Sequence, residues 1–256
     1  MPSQPEAKRL ARQLIEAAET CQPIEPFSAQ CGAVTPETAS KIRAAWLEAK
    51  QLAGHRPVGK KVAAIRRGWR GHAQVLEGGW GHILDSTVLL DGSELPASHL
   101  IQPRIEAEFA FLLARDLAGP GITAAHILAA TEGVCAGFEI IDSRFRPKAP
   151  TPEDSTADNG SHAYAVFGAR LLPASELDLA AAAVSLEING EVKGTGTGAN
   201  VAGHPAHALV ALANQQPLRA GEIVLTGSVA GAFPIRSGDR VLARFEGLGS
   251  VSLNVV

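Results

Sequence analysis

The chain has 256 residues, with 23 Lys and Arg against 26 Asp and Glu, for a formal net charge of −3. That length can bury a core without covalent staples, and the near-balanced charge excludes a general nucleic-acid or anionic-membrane footprint. Three cysteines, Cys21, Cys31 and Cys135, neither pair off evenly nor show C-x-x-C spacing, so neither a disulfide framework nor a zinc knuckle is indicated.

No apolar stretch reaches the ~20 residues that a membrane helix needs. The first 22 residues carry Glu6, Lys8, Arg9, Arg12, Glu16 and Glu19, so they lack the continuous apolar core of a signal peptide, and a cytoplasmic protein is expected. Between Pro5 and Thr20, Leu10, Leu14 and Ala18 share a stripe with Ala7, Ala11 and Ile15, which predicts an amphipathic helix. Thr35-Pro36-Glu37 then reads as an N-cap, a first-turn proline and an early acid, opening a helix to about Leu52.

After about Gly71 the texture changes to short apolar runs broken by Gly, Pro and Asp. Ile83–Leu84, Val88–Leu90, Ile105–Leu113, Tyr164–Phe167, Val184–Ile188, Ile223–Thr226 and Val241–Phe245 read as strands. Asn189-Gly190 is the strongest hairpin signal. Helices are predicted over about Thr123 to Thr131 and from near Pro205 through Ala213. Strands and helices do not alternate regularly, which points to α+β with a mainly antiparallel or mixed sheet. The expected division is a helical N-terminal segment, residues 1–70, packed on a β-rich body, residues 71–256, in one compact domain.

Pro103 to Leu113 is the most informative segment. As a strand it puts Ile105, Ala107, Phe109 and Phe111 on one face, and Glu106 and Glu108 on the other, about 7 Å apart at the base. Two acids in an otherwise apolar strand either face water or share a cation, and all-carboxylate sites suit Mg²⁺, Mn²⁺ or Ca²⁺. Gly133 to Asp142 is again apolar with one internal acid, Glu139. Taken alone, Glu139 reads as structural, paired with an arginine such as Arg144. Taken with Glu106 and Glu108, it makes a three-carboxylate cluster with open positions for substrate or water.

Several segments together resemble one family. They are Ile101-Gln102-Pro103-Arg104-Ile105-Glu106-Ala107-Glu108, Phe138-Glu139-Ile140-Ile141-Asp142-Ser143-Arg144, Ala157-Asp158-Asn159-Gly160-Ser161, Gly203-His204-Pro205, Gly221-Glu222-Ile223-Val224-Leu225-Thr226-Gly227 and Gly247-Leu248-Gly249-Ser250-Val251. In order and spacing, from about Val58 to the end, they resemble the 2-keto-4-pentenoate hydratase / 2-oxohept-3-ene-1,7-dioate hydratase / 4-oxalocrotonate decarboxylase family. That family lies within the fumarylacetoacetate-hydrolase-like superfamily.

The resemblance implies a mixed β-roll fold and a Mg²⁺ or Mn²⁺ ion held by Glu106, Glu108 and Glu139. It implies a small 2-oxo or 2-hydroxydienoic acid substrate from aromatic meta-cleavage, and a homo-oligomer or association with a partner enzyme of the same pathway. Gly59-Lys60-Lys61-Val62 matches the strand of the family's catalytic lysine, which makes Lys61 the candidate. Read without the family, Lys61 is a solvated lysine in a basic stretch. Gly79 to Asp85 stands where the family has Pro-x-Phe-Gly-x-Leu, which brings Asp85 close to its acid/base aspartate. Ser161 matches a serine near the substrate carboxylate.

The family usually continues Gly-Leu-Thr-Ser after the lysine, where this chain has Ala63-Ala64-Ile65-Arg66. Arg66 or Arg67 is therefore a candidate for a second substrate carboxylate, against the plainer reading of an arginine in water. The expected activity is hydration of a 2-hydroxy-2,4-dienoate. The alternatives are vinylogous decarboxylation of a 2-oxo-3-enedioate, the superfamily's C–C hydrolysis, for which His55 and His72 are the nearby histidines, and a non-catalytic subunit. Gly194-Thr195-Gly196-Thr197-Gly198 lacks the order of a phosphate loop and reads as a flexible turn. His204 and His207 read as structural, and Cys135 as a small buried hydrophobe.

Overall fold

The computed structural model describes residues 4–31, 34–70, 73–147 and 150–256, with the side chains of Cys31 and of residues 64–78 outside that description. Helix α1 spans Gln4–Thr20, α2 Phe27–Cys31 and α3 Pro36–Leu52. Thr35 caps α3 as its sequence predicts, accepting the Thr38 N–H at 3.2 Å with Pro36 in the first turn. The apolar stripe of α1, Ala7, Leu10, Ala11 and Leu14, packs with Ala39 and Ile42 of α3 and with Phe27 and Phe145. The two phenylalanines meet edge to face, with centroids 5.1 Å apart. No helix among the described residues is long and apolar enough to cross a membrane.

The helices end at Leu52 and strands begin at Pro57, earlier than the change of texture near residue 70. Strand β1 (Pro57–Arg70) and strand β2 (Ala73–Leu84) form a long antiparallel hairpin. Its sequence is rich in Lys, Arg and Gly and lacks apolar alternation. Cross-strand pairing forms it where propensity gives no signal.

There follow β3 (Val88–Leu90), β4 (Glu94–Leu95), β5 (Arg104–Leu113), α4 (Ala124–Ala130), β6 (Thr131–Ile141), α5 (Pro152–Ala157) and β7 (His162–Phe167). The remainder comprises β8 (Ala183–Ile188), β9 (Glu191–Thr197), α6 (Ala206–Ala213), β10 (Ile223–Leu225), β11 (Ala232–Pro234), β12 (Arg240–Phe245) and β13 (Gly249–Val255). Among the described residues, one sheet has the order β2-β1-β10-β5-β6-β7-β3, with β11 also beside β5, and the other runs β4-β13-β12-β8-β9. Both are mixed, with β1–β10, β3–β7 and β4–β13 parallel. This is the expected α+β architecture of mixed sheets with a helical N-terminal segment.

The core between the sheets comes from one face of β5. Ile105, Ala107, Phe109 and Phe111 pack with Leu186, Phe245 and Val251, and the Phe109 and Phe245 rings meet edge to face at 5.2 Å. Period two then leaves Glu106 and Glu108 on the opposite face. The Asn189-Gly190 hairpin forms as expected, with φ of 56° and 79°. Gly194 to Thr197, read above as a turn, instead continue β9 in register with β8. Gly194 and Gly196 lie so close to the Ala230 and Val229 carbonyls that a side chain would not fit.

One buried ion pair orients the site. Lys60 Nζ lies 2.5 and 2.6 Å from the two Glu222 oxygens, beside the parallel β1–β10 register of Lys60 with Val224. Neighbouring strand residues point to opposite faces, so this pair leaves Lys61 to the carboxylate side.

Candidate metal centre

Antiparallel register sets Glu106 of β5 directly opposite Glu139 of β6, with Glu108 one step further along the same face. One carboxylate oxygen from each lies within 4.8 Å of the other two. Glu108 and Glu139 are fully buried, and Glu106 is half-buried. Like charges placed opposite each other repel, and burying them removes the water that would offset the repulsion.

Compensation is uneven. Lys61 Nζ lies 3.0 Å from Glu139 Oε1 and 3.2 Å from Oε2, and His162 Nδ1 lies 2.9 Å from Oε1. Burial works to raise the Glu139 carboxyl, but Lys61 and His162 together hold it below the ordinary value. Among the described residues, Glu108 Oε2 accepts the Gly227 N–H, at 2.7 Å, and its Oε1 has no donor. Burial, then the charges on Glu139 and Glu106, push Glu108 well above the usual carboxylate range. Burial and Glu139 push Glu106 up to about 7.

A cluster this short of positive charge must hold protons or a cation. The donors are all carboxylate oxygens, which suit hard divalent ions, and the buried, undonated Glu108 oxygen is a ligand atom without a partner. The residues present therefore fit Mg²⁺ or Mn²⁺.

The turn before β7 completes the site. Asn159, Gly160 and Ser161 all have left-handed backbone, with φ of 52°, 65° and 60°. The strain is held by a buried network. Arg144 Nε donates to Asp158 Oδ1 at 2.5 Å, and its other nitrogens donate to the Asp158, Asp142 and His162 carbonyls. Asn159 clamps β2, accepting the His82 N–H at 2.7 Å and donating to the His82 carbonyl at 2.9 Å. From α3, Arg43 stacks 3.6 Å from the Trp80 ring centroid and donates to the Trp80 carbonyl at 2.7 Å. Burial pushes its guanidinium down to about 10. Gly160 lies so close over Lys61 that an added Cβ would stand 2.6 Å from the lysine Cε.

Above this floor is a cavity of about 450 Å³, reached by Lys61, Glu106, Ser161, Thr226 and Ser228, with Ile141, Val201 and Ala202 among its apolar walls. The structure thus brings together Lys61, Ser161, Glu106, Glu108 and Glu139. The Ser161 hydroxyl donates to Asp158 at 3.3 Å.

It does not bring Asp85 there. The Asp85 carboxylate accepts from the Arg56 N–H and guanidinium and from the Ser86 N–H, which makes it a turn-stabilising group on the surface. Those bonds, led by the Arg56 N–H, lower its carboxyl. The side chain of Arg66 lies outside the described residues, as does His72. Arg144, suggested as a partner for Glu139, is instead bound to Asp158, because its backbone lies past the end of β6 beside that turn. His204 and His207 serve local backbone bonds at the start of α6, Ala206 N–H to His204 Nδ1 and His207 Nδ1 to the Ala202 carbonyl. Cys135 is buried, its thiol pushed up to about 12. His162 was not found by sequence reasoning. Its only signal is its place directly after the Asp158-Asn159-Gly160-Ser161 turn.

The chain is 38% identical over 249 residues to a 2-hydroxyhexa-2,4-dienoate hydratase from Comamonas testosteroni, covering 94% of each chain. It is 33% identical over 247 residues to a 2-keto-4-pentenoate hydratase from Burkholderia vietnamiensis, again covering 94% of each. The solved structure of 4-oxalocrotonate decarboxylase from Pseudomonas putida G7, complexed with magnesium and adipate, superposes with a TM-score of 0.92 at 29% identity, covering 100% of this chain and 99% of that one. Residues 84–256 match the family described as fumarylacetoacetate (FAA) hydrolase, C-terminal. The family match over residues 84–256, with relatives of 33–38% identity along 94% of the chain, makes this chain a member of the fumarylacetoacetate hydrolase family.

Proposed function

We propose that the protein is a divalent-metal-dependent hydro-lyase, adding water to a 2-hydroxy-2,4-dienoate to give a 4-hydroxy-2-oxo acid in meta-cleavage-type aromatic catabolism. One observation carries this reading: three carboxylates gathered on a buried face of β5 and β6, one of them with a buried oxygen that has no hydrogen-bond donor among the described residues, beside a cavity that Glu106 and Lys61 line. Glu106, Glu108 and Glu139 would hold Mg²⁺ or Mn²⁺. When bound, the ion supplies a Lewis acid at the substrate's carboxylate and 2-oxygen, where negative charge develops as a proton moves.

The chain's own groups would do the rest. Lys61 holds or passes the proton beside that oxygen, and Gly160 keeps its stem against the floor. Ser161, on the cavity wall, would turn its hydroxyl from Asp158 to the substrate carboxylate. Among the described lining residues Lys61 is the one cation, and Ile141, Val201 and Ala202 offer an apolar wall to a hydrocarbon tail, which favours a monocarboxylate. Arg66 is the candidate for a second carboxylate if the substrate is a dioate.

The second reading is vinylogous decarboxylation of a 2-oxo-3-enedioate, favoured by the likeness to a decarboxylase structure over the whole chain. Both readings use the same glutamates, and a non-catalytic subunit would not need this buried cluster kept with Lys61. Following dienol absorbance on 2-hydroxypenta-2,4-dienoate and 2-oxohex-3-enedioate in parallel, with product identification, separates them. Formation of a 4-hydroxy-2-oxo acid from the first supports the hydratase, and CO₂ release from the second alone supports the decarboxylase. Inertness toward both would leave the subunit reading. The proposed homo-oligomer, alone or with a pathway partner enzyme, is tested by light scattering of the purified chain.

A further inference from the structure

Glu139 already has two partners, one of them a lysine ammonium. Oε1 faces both His162 Nδ1 at 2.9 Å and Lys61 Nζ at 3.0 Å, and Oε2 faces the same Nζ at 3.2 Å. A divalent ion drawn to Glu106, Glu108 and Glu139 would therefore meet an ammonium already seated on one of its three ligands. Two cations on one buried carboxylate repel through a medium that screens them poorly.

Both neighbours of Glu139 are buried, and they differ in length and in what they border. His162 sits on the first residue of β7 with both ring nitrogens occupied, Nδ1 on Glu139 and Nε2 3.5 Å from Thr87 Oγ1. Lys61 has a flexible four-carbon stem and borders the cavity. Gly160 closes one side of that stem.

We infer that Lys61 is the resident counter-ion of Glu139, and that the divalent ion and the ammonium compete for this carboxylate. Loading the ion loosens Lys61 from Glu139 and frees it toward the cavity it lines, so the lysine becomes available to substrate only in the loaded protein. This rests on the metal reading above. It adds that Lys61 opposes ion binding, whereas a purely catalytic lysine would leave ion affinity untouched.

The test is calorimetric titration of Mn²⁺ into the EDTA-stripped full-length protein at pH 8, comparing wild type with Lys61→Met and Lys61→Arg. Methionine keeps much of the stem and removes the charge. Lys61→Met binds Mn²⁺ at least tenfold more tightly than wild type, and Lys61→Arg binds no more tightly. Equal or weaker binding by Lys61→Met, with wild type still binding one ion, overturns the competition and leaves the metal reading standing. No binding by wild type or either variant removes the metal reading, and the competition with it. A second measurement needs no variant: acetylation of Lys61 in wild type, read by peptide mass spectrometry, rises at least threefold on adding Mg²⁺. An unchanged or slower reaction overturns the release of the lysine.

Discussion

Replacing Gly160 by alanine separates the positioning of Lys61 from the stability of the fold. Gly160 has φ 65° and ψ 24°, so alanine there costs about 1 kcal/mol in backbone strain. The added Cβ would also stand 2.6 Å from Lys61 Cε and 3.2 Å from its Nζ, well inside the ~3.5 Å of ordinary carbon contact. The obstructing atoms are the end of a flexible side chain, so Lys61 is pushed away from the Gly160 side of the cavity. Gly190 is the control, because it has φ 79° with nothing within 4 Å of a Cβ. Each variant should lower Tm by about 2–4 °C per kcal/mol. Displacing a proton-carrying group by about an ångström costs on the order of 100-fold in turnover. Scanning fluorimetry should therefore show a Tm loss in Gly160→Ala at least as large as in Gly190→Ala, and the dienol assay a kcat that collapses in Gly160→Ala and is unchanged in Gly190→Ala. A Gly160→Ala protein within threefold of wild-type kcat would refute the positioning of Lys61.

The carboxylate cluster sets two further expectations for the ion-free protein. Glu106 has its folded-state pKa raised from 4.5 to about 7, so its contribution to stability is fully present below pH 4.5 and lost as pH rises through 7. At 1.36 kcal/mol per pKa unit this is about 3 kcal/mol, so urea unfolding in EDTA should show lower stability at pH 8 than at pH 5, and Mg²⁺ should restore more of it at pH 8. Opposite or flat pH dependence would show that Glu106 is not held as described. At a pH high enough to ionise Glu108, Glu108→Gln removes a buried charge while keeping an acceptor for the Gly227 N–H, so there it should raise the ion-free Tm by a few degrees, about 1 kcal/mol, and it should abolish stabilisation by added ion. A lowered ion-free Tm would count against the cluster's repulsion.

The parts of this molecule legible in its sequence are those where one local rule acts alone. Thr35-Pro36 announces α3 because a cap and a proline act within one turn, and Asn189-Gly190 announces its hairpin because few residues tolerate positive φ. Glu106 and Glu108 stand out because two acids in a strand of otherwise buried residues violate the burial rule. The β1–β2 hairpin stays hidden because its Lys, Arg and Gly content carries no period and its pairing partners are supplied by the fold. Gly194 to Thr197 misleads because the glycines serve close packing against the 229–230 carbonyls, a contact between distant segments. His162 and the Arg144–Asp158 pair are invisible for the same reason, since their roles exist only once the turn folds back on β6. Asp85 shows the limit of carrying a role by spacing alone, because its carboxylate is occupied by Arg56.

The central claim is that Glu106, Glu108 and Glu139 bind one divalent ion that turnover requires. The most direct measurement is turnover of 2-hydroxypenta-2,4-dienoate by EDTA-stripped protein as Mn²⁺ is added, for wild type and Glu106→Gln side by side. Wild type should be silent without the ion and reach full rate near one equivalent, with Glu106→Gln silent throughout. Full turnover in the stripped protein, or a Glu106→Gln rate within tenfold of wild type, would contradict it.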